Sequence, residues 1–323
     1  MMPHVFRSLE EARGRLRLCA LTIGNFDGVH IGHQALVAAT LRYAVANALT
    51  PAVLTFYPHP TVIVTPERVP QLICTLDQRL RFLQAAGATN IIVLPFTADF
   101  ARLSPRQFVS QALCDALDTK AVFVGDNFRF GRRHRGTAQT LKLLGPEFGF
   151  IAQTVQPVSL RGEIISSSVI RRYLSSGNVS RAARLLGRCF SLEGPVVRGH
   201  GVGAKQTVPT VNLAPPAGQL IPRGVYITET LDPSTGRRWE SITNCGFRPT
   251  FGGDELTIET FLLSPLEGAA PSQIEVRFHR FVREEQQFPT PEALRAQILR
   301  DVSRAQAYWR RLSTCTSSST VMM

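Results

Sequence analysis

Two histidines three positions apart, His30 and His33, close the glycine-punctuated run Gly24-Asn25-Phe26-Asp27-Gly28-Val29-His30-Ile31-Gly32-His33. Residues 18–23 before it read as a short buried strand, and a helix pattern follows it. In an open parallel sheet, ligands bind at the carboxyl ends of strands. Gly24 and Gly28 allow tight turns and close backbone approach, and Gly32 removes a side chain where another group must come near. The N–H groups and dipole of a helix start favour anions. Imidazoles beside that start can donate hydrogen bonds to phosphate oxygens. That suits nucleotidyl transfer, in which charge builds at phosphorus and the protein need form no covalent bond. Two other readings stand beside this one: a metal held by Asp27, His30 and His33, or two structural histidines. No G-x-x-x-x-G-K-[ST] loop occurs in the chain, which excludes a P-loop ATPase.

The same half of the chain carries a second group of candidates. Ser166, Ser167 and Ser168 run into a helix beginning near Val169, so hydroxyls and free N–H groups converge where a triphosphate can lie. Arg171, one turn inside, can clamp phosphate. Asn127 can hydrogen-bond the edge of a flat ring such as a base, and Phe128 and Phe130 can pack on such a ring. The plainer readings are an N-cap, a turn asparagine and core aromatics.

These residues need elements to hold them. Strand signals at residues 18–23, 52–56, 90–94, 121–124 and 151–155 alternate with helix signals, and Ser104-Pro105 reads as an N-cap with Pro at the first helical position. That pattern predicts crossover connections and a doubly wound parallel sheet. Near Leu185-Leu186-Gly187 it changes. Residues 190–282 show period-two stretches such as GVYITETL, RWESITN, ELTIETFLL and QIEVRFHRFV, separated by Gly/Pro turns, which predicts a small antiparallel β-barrel. An amphipathic helix over residues 291–312 follows, with Leu294, Ile298, Val302 and Ala305 on the face that covers the barrel's open side, and residues 313–323 read as a frayed, disordered tail.

The 323 residues suit two domains, and 44% hydrophobic residues can build their cores. Six scattered cysteines without a C-x-x-C pair suggest neither a zinc ribbon nor a disulfide framework. The N-terminal residues lack a secretory pattern and no segment has the apolar length of a spanning helix, so a soluble cytoplasmic protein is expected. The net charge is +12, with only three lysines among 36 basic residues. Arginine suits anionic partners. A nucleic-acid-binding protein is the different-class alternative, but no dense cationic tract or RNP-like aromatic run supports it.

The H-x-G-H pair resembles the signature of the nucleotidyltransferase superfamily. The longer GNFDGVHIGH string is similar to the bifunctional riboflavin kinase/FMN adenylyltransferase (prokaryotic FAD synthetase) family. TFYPHP at residues 55–60, VGDNFRFG at 124–131 and ISSSVIRRYL at 165–174 resemble further motifs of its first module, in order. LGRCFSLEGPVVRGHGVG at 185–203, VPTVN at 208–212, NCGFRPTF at 244–251, the Ile258-Glu259-Thr260 strand and FVREEQQF at 281–288 resemble its kinase module. The resemblance covers nearly the whole chain. It implies an adenylyltransferase domain over 1–184 and a riboflavin kinase-like domain over 185–312.

It further implies roles. ATP phosphorylates riboflavin to FMN, and a second ATP adenylylates FMN to FAD with release of pyrophosphate. His30, His33, Arg171 and Glu259 are the implied catalytic residues, Glu259 as the base for the ribityl hydroxyl. An outward-facing strand glutamate is its plainer reading. Gly24, Phe26, Gly32, Ser167, Ser168, Gly199, Gly201 and Gly203 are implied for ATP, and Asn127 and Phe128 for the flavin. Thr210 and Asn212 offer neutral oxygens to a Mg²⁺ that ATP phosphates already hold. Riboflavin, FMN and ATP are the expected partners, with no nucleic acid, membrane or obligate protein partner. The kinase motif departs from the family at Thr207, where glycine is usual, at Phe261 and Ser264, where His and Asp are usual, and at residues 266–270, which replace L-Y-G. The alternative is therefore an FMN adenylyltransferase with an impaired kinase-like domain.

Overall fold

The computed structural model describes residues 3–197, 210–250 and 253–319. The chain forms two compact units, Met1–Ser167 and Ser168–Met323. The first runs β1 (His4–Phe6), α1 (Leu9–Ala12), β2 (Cys19–Ile23), α2 (Ile31–Ala46), β3 (Thr50–Tyr57), α3 (Thr61–Val64), α4 (Leu76–Ala85), β4 (Asn90–Pro95), α5 (Ala98–Arg102), α6 (Pro105–Phe108), β5 (Thr119–Gly125), β6 (Arg129–Phe130), β7 (Gly136–Thr137), α7 (Ala138–Phe148), β8 (Ile151–Val155), β9 (Ser159–Leu160) and β10 (Glu163–Ile164).

The main sheet has the order β1-β4-β3-β2-β5-β8, and every pair is parallel. Its strands are apolar at successive positions because both faces are covered. Cys19, Leu21 and Ile23 face one core with Leu54, Ile92 and Val122, while Ala20 faces the other with Val53, Ile91 and Phe123. The predicted doubly wound sheet is therefore present. Ser104 caps α6 in a capping box with Gln107, with Pro105 at its first turn. The sequence reading missed β1, whose three residues are too short for periodicity. It is held by parallel pairing to β4, with Phe6 buried. Strand order reverses between β2 and β5, so the crevice beyond their carboxyl ends is the topological switch point.

The second unit contains α8 (Ser167–Ser175), whose first residue ends the first unit, α9 (Val179–Leu186), β11 (Phe190–Val197), β12 (Thr210–Leu213), β13 (Gly224–Leu231), β14 (Arg238–Thr250), β15 (Gly253–Leu262), β16 (Gln273–Arg283) and α10 (Pro291–Ser319). The strands close a barrel in the order β11-β12-β15-β14-β13-β16, antiparallel throughout. Its interior holds Tyr226 and Phe278 with a chain of hydroxyls. Thr230, Ser241, Thr228, Thr243 and Thr260 bond one to the next at 2.8–3.0 Å. Each of these five hydroxyls thus meets a partner inside the wall.

Two expectations need correction. The barrel has no open side; Val302 and Ala305 of α10 instead pack on its outer face against Val225, Ile227 and Ile242. Nor does the chain fray after Leu312, since α10 runs to Ser319. Ser313 and Thr314 bond back to the carbonyls of Trp309, Arg310 and Arg311, which lets polar residues continue the helix. The compact units divide after Ser167, the first residue of α8, and α9 packs on the barrel: Ser180 donates to the His279 carbonyl at 2.8 Å.

Candidate functional site

The turn between β2 and α2 is built by bulky residues in unusual conformations. Phe26 and Val29 have φ of 50° and 38°, both are fully buried, and Gly28 has φ of 79°. Left-handed backbone at a buried aromatic is uncommon and costs energy that the surroundings must offset. The surroundings are dense. The Asp27 carboxylate accepts from the Ile73 N–H at 2.9 Å and the Cys74 N–H at 3.2 Å. Gly28 N–H meets Cys74 Sγ at 3.1 Å, and a methyl group at Gly28 would collide with Ile73. The Ser167 hydroxyl donates to the Asp27 carbonyl at 2.9 Å. Asp27 is thus a structural carboxylate, which removes the acidic member of the metal reading. Among the described residues no cluster of three metal-ligating side chains occurs.

His30 caps α2. Its Nδ1 accepts from the His33 N–H at 3.3 Å. An imidazole that accepts at Nδ1 carries its proton at Nε2 when neutral, so His30 presents a donor from its far edge. The two imidazoles stack with centroids 3.6 Å apart and planes 16° apart, and Phe26 packs edge-on against His33 at 5.1 Å. Gly32 has a physical reason to be glycine: a Cβ there would lie 3.1 Å from the His30 ring. Gly24 likewise leaves room for the Phe26 ring. The sequence-predicted Gly24, Phe26, His30, Gly32 and His33 form one contiguous structure at the switch point.

Beneath the turn lies a group that the sequence reading missed. Arg79 on α4 is 0% exposed. Its Nη1 donates to the Phe56 carbonyl at 3.0 Å and to Thr55 Oγ1 at 3.3 Å, and Thr55 Oγ1 donates to the Asn25 carbonyl at 3.2 Å. Nε and Nη2 of Arg79 have no partner among the described residues. A full positive charge therefore sits two hydrogen bonds from the turn. His59, in TFYPHP, also reaches it: its Nε2 is 3.3 Å from the Asn25 side-chain nitrogen. The one usable signal was that TFYPHP held a polar Thr55 and His59 at a strand end; nothing in the sequence distinguishes Arg79 from a surface arginine.

Asn127 is exposed in the turn after β5, closed by a 3.0 Å bond from Phe128 N–H to the Gly125 carbonyl. Phe128 is half-buried and stacks on Phe130 at 5.6 Å, the end of an aromatic series through Phe108 and Phe100. Ser167 and Arg171 stand four apart on α8 and share a helix face, whereas Ser168 is exposed. Because the Ser167 proton is engaged by Asp27, its backbone N–H is the donor it can offer an anion.

In the barrel, Asn212, Glu259 and Asn244 are directly paired across β12, β15 and β14. Their chain neighbours Val211, Leu213, Ile258, Thr260, Thr243 and Cys245 are buried, and the alternation of a strand puts the three on the outer face. Thr210, opposite Phe261, is on that face one pair along. Thr210 Oγ1 is buried without a partner among the described residues, so a neutral oxygen is available there to a hard cation. Gly199, Gly201, Gly203 and Thr207 lie outside the described residues. Gly246, also on this face, is overlain by the Glu285 carboxylate of the FVREEQQF segment.

A family model described as FAD synthetase matches residues 13–169, and one described as riboflavin kinase matches residues 186–309. The chain is 34% identical over 302 residues to a bifunctional riboflavin kinase/FMN adenylyltransferase of Pseudomonas fluorescens, covering 93% of this chain and 96% of that protein. It is 34% identical over 292 residues to the protein of that name from Escherichia coli K12, covering 90% and 93%. A crystal structure described as a macrolide-efflux protein from Streptococcus pneumoniae superposes with a TM-score of 0.84 at 25% identity, covering 95% of this chain and 99% of that one. Among the described residues no helix is long and apolar enough to cross a membrane.

Proposed function

The chain belongs to the bifunctional riboflavin kinase/FMN adenylyltransferase family, and from that premise we propose how its residues divide the work of FAD biosynthesis. The protein is a transferase with two activities. It phosphorylates riboflavin with ATP to give FMN, and it adenylylates FMN with ATP to give FAD and pyrophosphate. The observation that carries the first assignment of residues is the stacked His30–His33 pair at the start of α2, 3.6 Å between centroids, at the sheet's switch point.

An oxygen of the FMN phosphate attacks the α-phosphorus of ATP and pyrophosphate leaves. His30 Nε2–H and His33 donate to the phosphoryl oxygens, the α2 start adds its N–H groups, and Arg79 adds positive charge from below. Arg171 and the Ser167 N–H serve the triphosphate. Asn127 and Phe128 serve the flavin. In the barrel, Glu259 takes the proton of the ribityl hydroxyl as its oxygen attacks the γ-phosphorus of ATP and ADP leaves. Thr210 and Asn212 would hold Mg²⁺, which when bound neutralises phosphate charge. Residues 1–184 serve adenylyl transfer and 185–312 the kinase step, in the cytoplasm; the five free cysteines among the described residues support a reducing compartment.

The test is incubation of the purified protein with riboflavin, ATP and Mg²⁺, with products separated by chromatography. FMN and FAD both form. His30→Ala stops FAD formation from supplied FMN and spares FMN formation, while Glu259→Gln does the reverse. Loss of both steps in either variant would contradict separate sites.

A further inference from the structure

Asn244 has no role in the scheme above, yet it stands beside the proposed base. It is paired directly with Glu259, and Asn212 is paired with Glu259 from the other side. Directly opposed residues in an antiparallel pair have Cβ atoms about 4.5–5.5 Å apart, so their side chains share one patch. Asn244 Oδ1 is buried and has no hydrogen-bond partner among the described residues. A buried acceptor without a donor is costly and calls for an explanation. Careless packing is not the explanation. On the other face of the same strand, Ser241 and Thr243 are both satisfied, at 2.8–3.0 Å, by hydroxyls of neighbouring strands. The wall meets its polar needs where it faces itself and leaves them unmet where it faces outward beside Glu259.

The orphan atom is an acceptor, so it fits a hydroxyl donor. Resting on the kinase reading of this face, we propose that Asn244 is a substrate-binding residue of that step. Its Oδ1 accepts a hydrogen bond from a hydroxyl of the flavin's polyhydroxylated side chain and so brings the terminal hydroxyl within reach of Glu259. Asn244 lies in NCGFRPTF, a segment whose sequence pattern assigns no chemistry.

The experiment separates contact with the polyol from contact with the ring. Total FMN plus FAD formation from riboflavin is measured for wild type, Asn244→Ala and Asn244→Ser. Lumiflavin, which keeps the ring system and lacks the hydroxylated chain, serves as a competitive inhibitor of the same step. Asn244→Ala raises the riboflavin KM about fivefold to tenfold, the worth of one hydrogen bond. It leaves the lumiflavin Ki and the ATP KM unchanged. Asn244→Ser, which keeps a shorter acceptor, falls between. Equal weakening of riboflavin and lumiflavin would make Asn244 a ring contact and overturn the proposal. A fall in kcat at unchanged riboflavin KM would also overturn it, since Asn244 would then act on Glu259. No change in any constant would do the same. A wild-type protein that makes no FMN from riboflavin, while still making FAD from FMN, would instead refute the kinase reading.

Discussion

Gly32→Ala separates stability from chemistry in a way the geometry makes quantitative. Gly32 is the second residue of α2, and an added Cβ would lie 3.1 Å from both Nδ1 and Cε1 of His30. That is a few tenths of an ångström too close. The backbone there is helical, so the imidazole must give way. Alanine in place of glycine favours a helix by up to about 1 kcal/mol. Loosening the Nδ1 cap on the His33 N–H, now 3.3 Å, costs about 1 kcal/mol. The two nearly cancel, and the melting temperature stays within a few degrees of wild type. Catalysis has no such compensation. A displaced donor beside a reacting phosphoryl group costs between about tenfold and a hundredfold in rate. FAD formation from FMN therefore falls by that factor while FMN formation from riboflavin is unchanged. Both rates and the melting temperature are measured on the same preparation. Full adenylyl transfer in Gly32→Ala would show that the His30 ring position does not matter.

Thr55→Val keeps the shape of the side chain and removes the hydroxyl that links Arg79 to the Asn25 carbonyl. It lowers stability by about 1–3 kcal/mol and slows adenylyl transfer; thermal unfolding and FAD formation read the two effects, and an unchanged melting temperature would mean the link carries no load. Asp27→Ala strands the buried N–H groups of Ile73 and Cys74 and costs at least as much, whereas Asp27→Asn, which keeps an acceptor, costs less. Burial holds the His279 imidazole pKa below its usual 6.5, with Glu229 acting the other way and Arg277 adding to the depression. The unfolded chain then binds the proton first, so stability declines as pH falls below about 6.5 and levels off only below the folded pKa. His279→Gln flattens that decline in melting temperature against pH; a slope identical to wild type would assign the acid sensitivity to other groups.

The turn proposed for adenylyl transfer was legible because its residues are contiguous. Ten consecutive residues bring their own strand end, glycines and helix start, and each of Gly24, Phe26, His30, Gly32 and His33 lies where local rules put it. The barrel strands were legible for a similar reason: GVYITETL is β13 residue for residue. What was hidden depends on pairing between distant segments. Asp27 was open to a metal-ligand reading until its oxygens met the N–H groups of Ile73 and Cys74, 46 and 47 residues on. Arg79 carries no sequence signal that separates it from the other arginines, and only burial reveals its charge as interior. Asn244 acquires meaning from the register that sets it opposite Glu259, and register is not written in either strand alone.

The two reactions make opposite demands on protons, and the side chains proposed for the two sites differ accordingly. In adenylyl transfer the nucleophile is a phosphate whose second pKa is about 6, so at neutral pH it is already ionised and needs no base. The turn offers donors and positive charge: His30 Nε2–H, His33, the α2 start and Arg79, with its one carboxylate, Asp27, tied to backbone N–H groups. In the kinase step the nucleophile is a neutral hydroxyl whose proton must be removed. The outer face of the barrel offers acceptors: Glu259 with Oδ1 of Asn244 beside it and Oγ1 of Thr210 on the same face, both without a partner among the described residues. A site lined only by donors would hold that hydroxyl and leave its proton in place, so the kinase step needs an acceptor such as Glu259. On the proposed assignment the lining follows the nucleophile: donors and positive charge for an ionised phosphate, a carboxylate acceptor for a neutral hydroxyl.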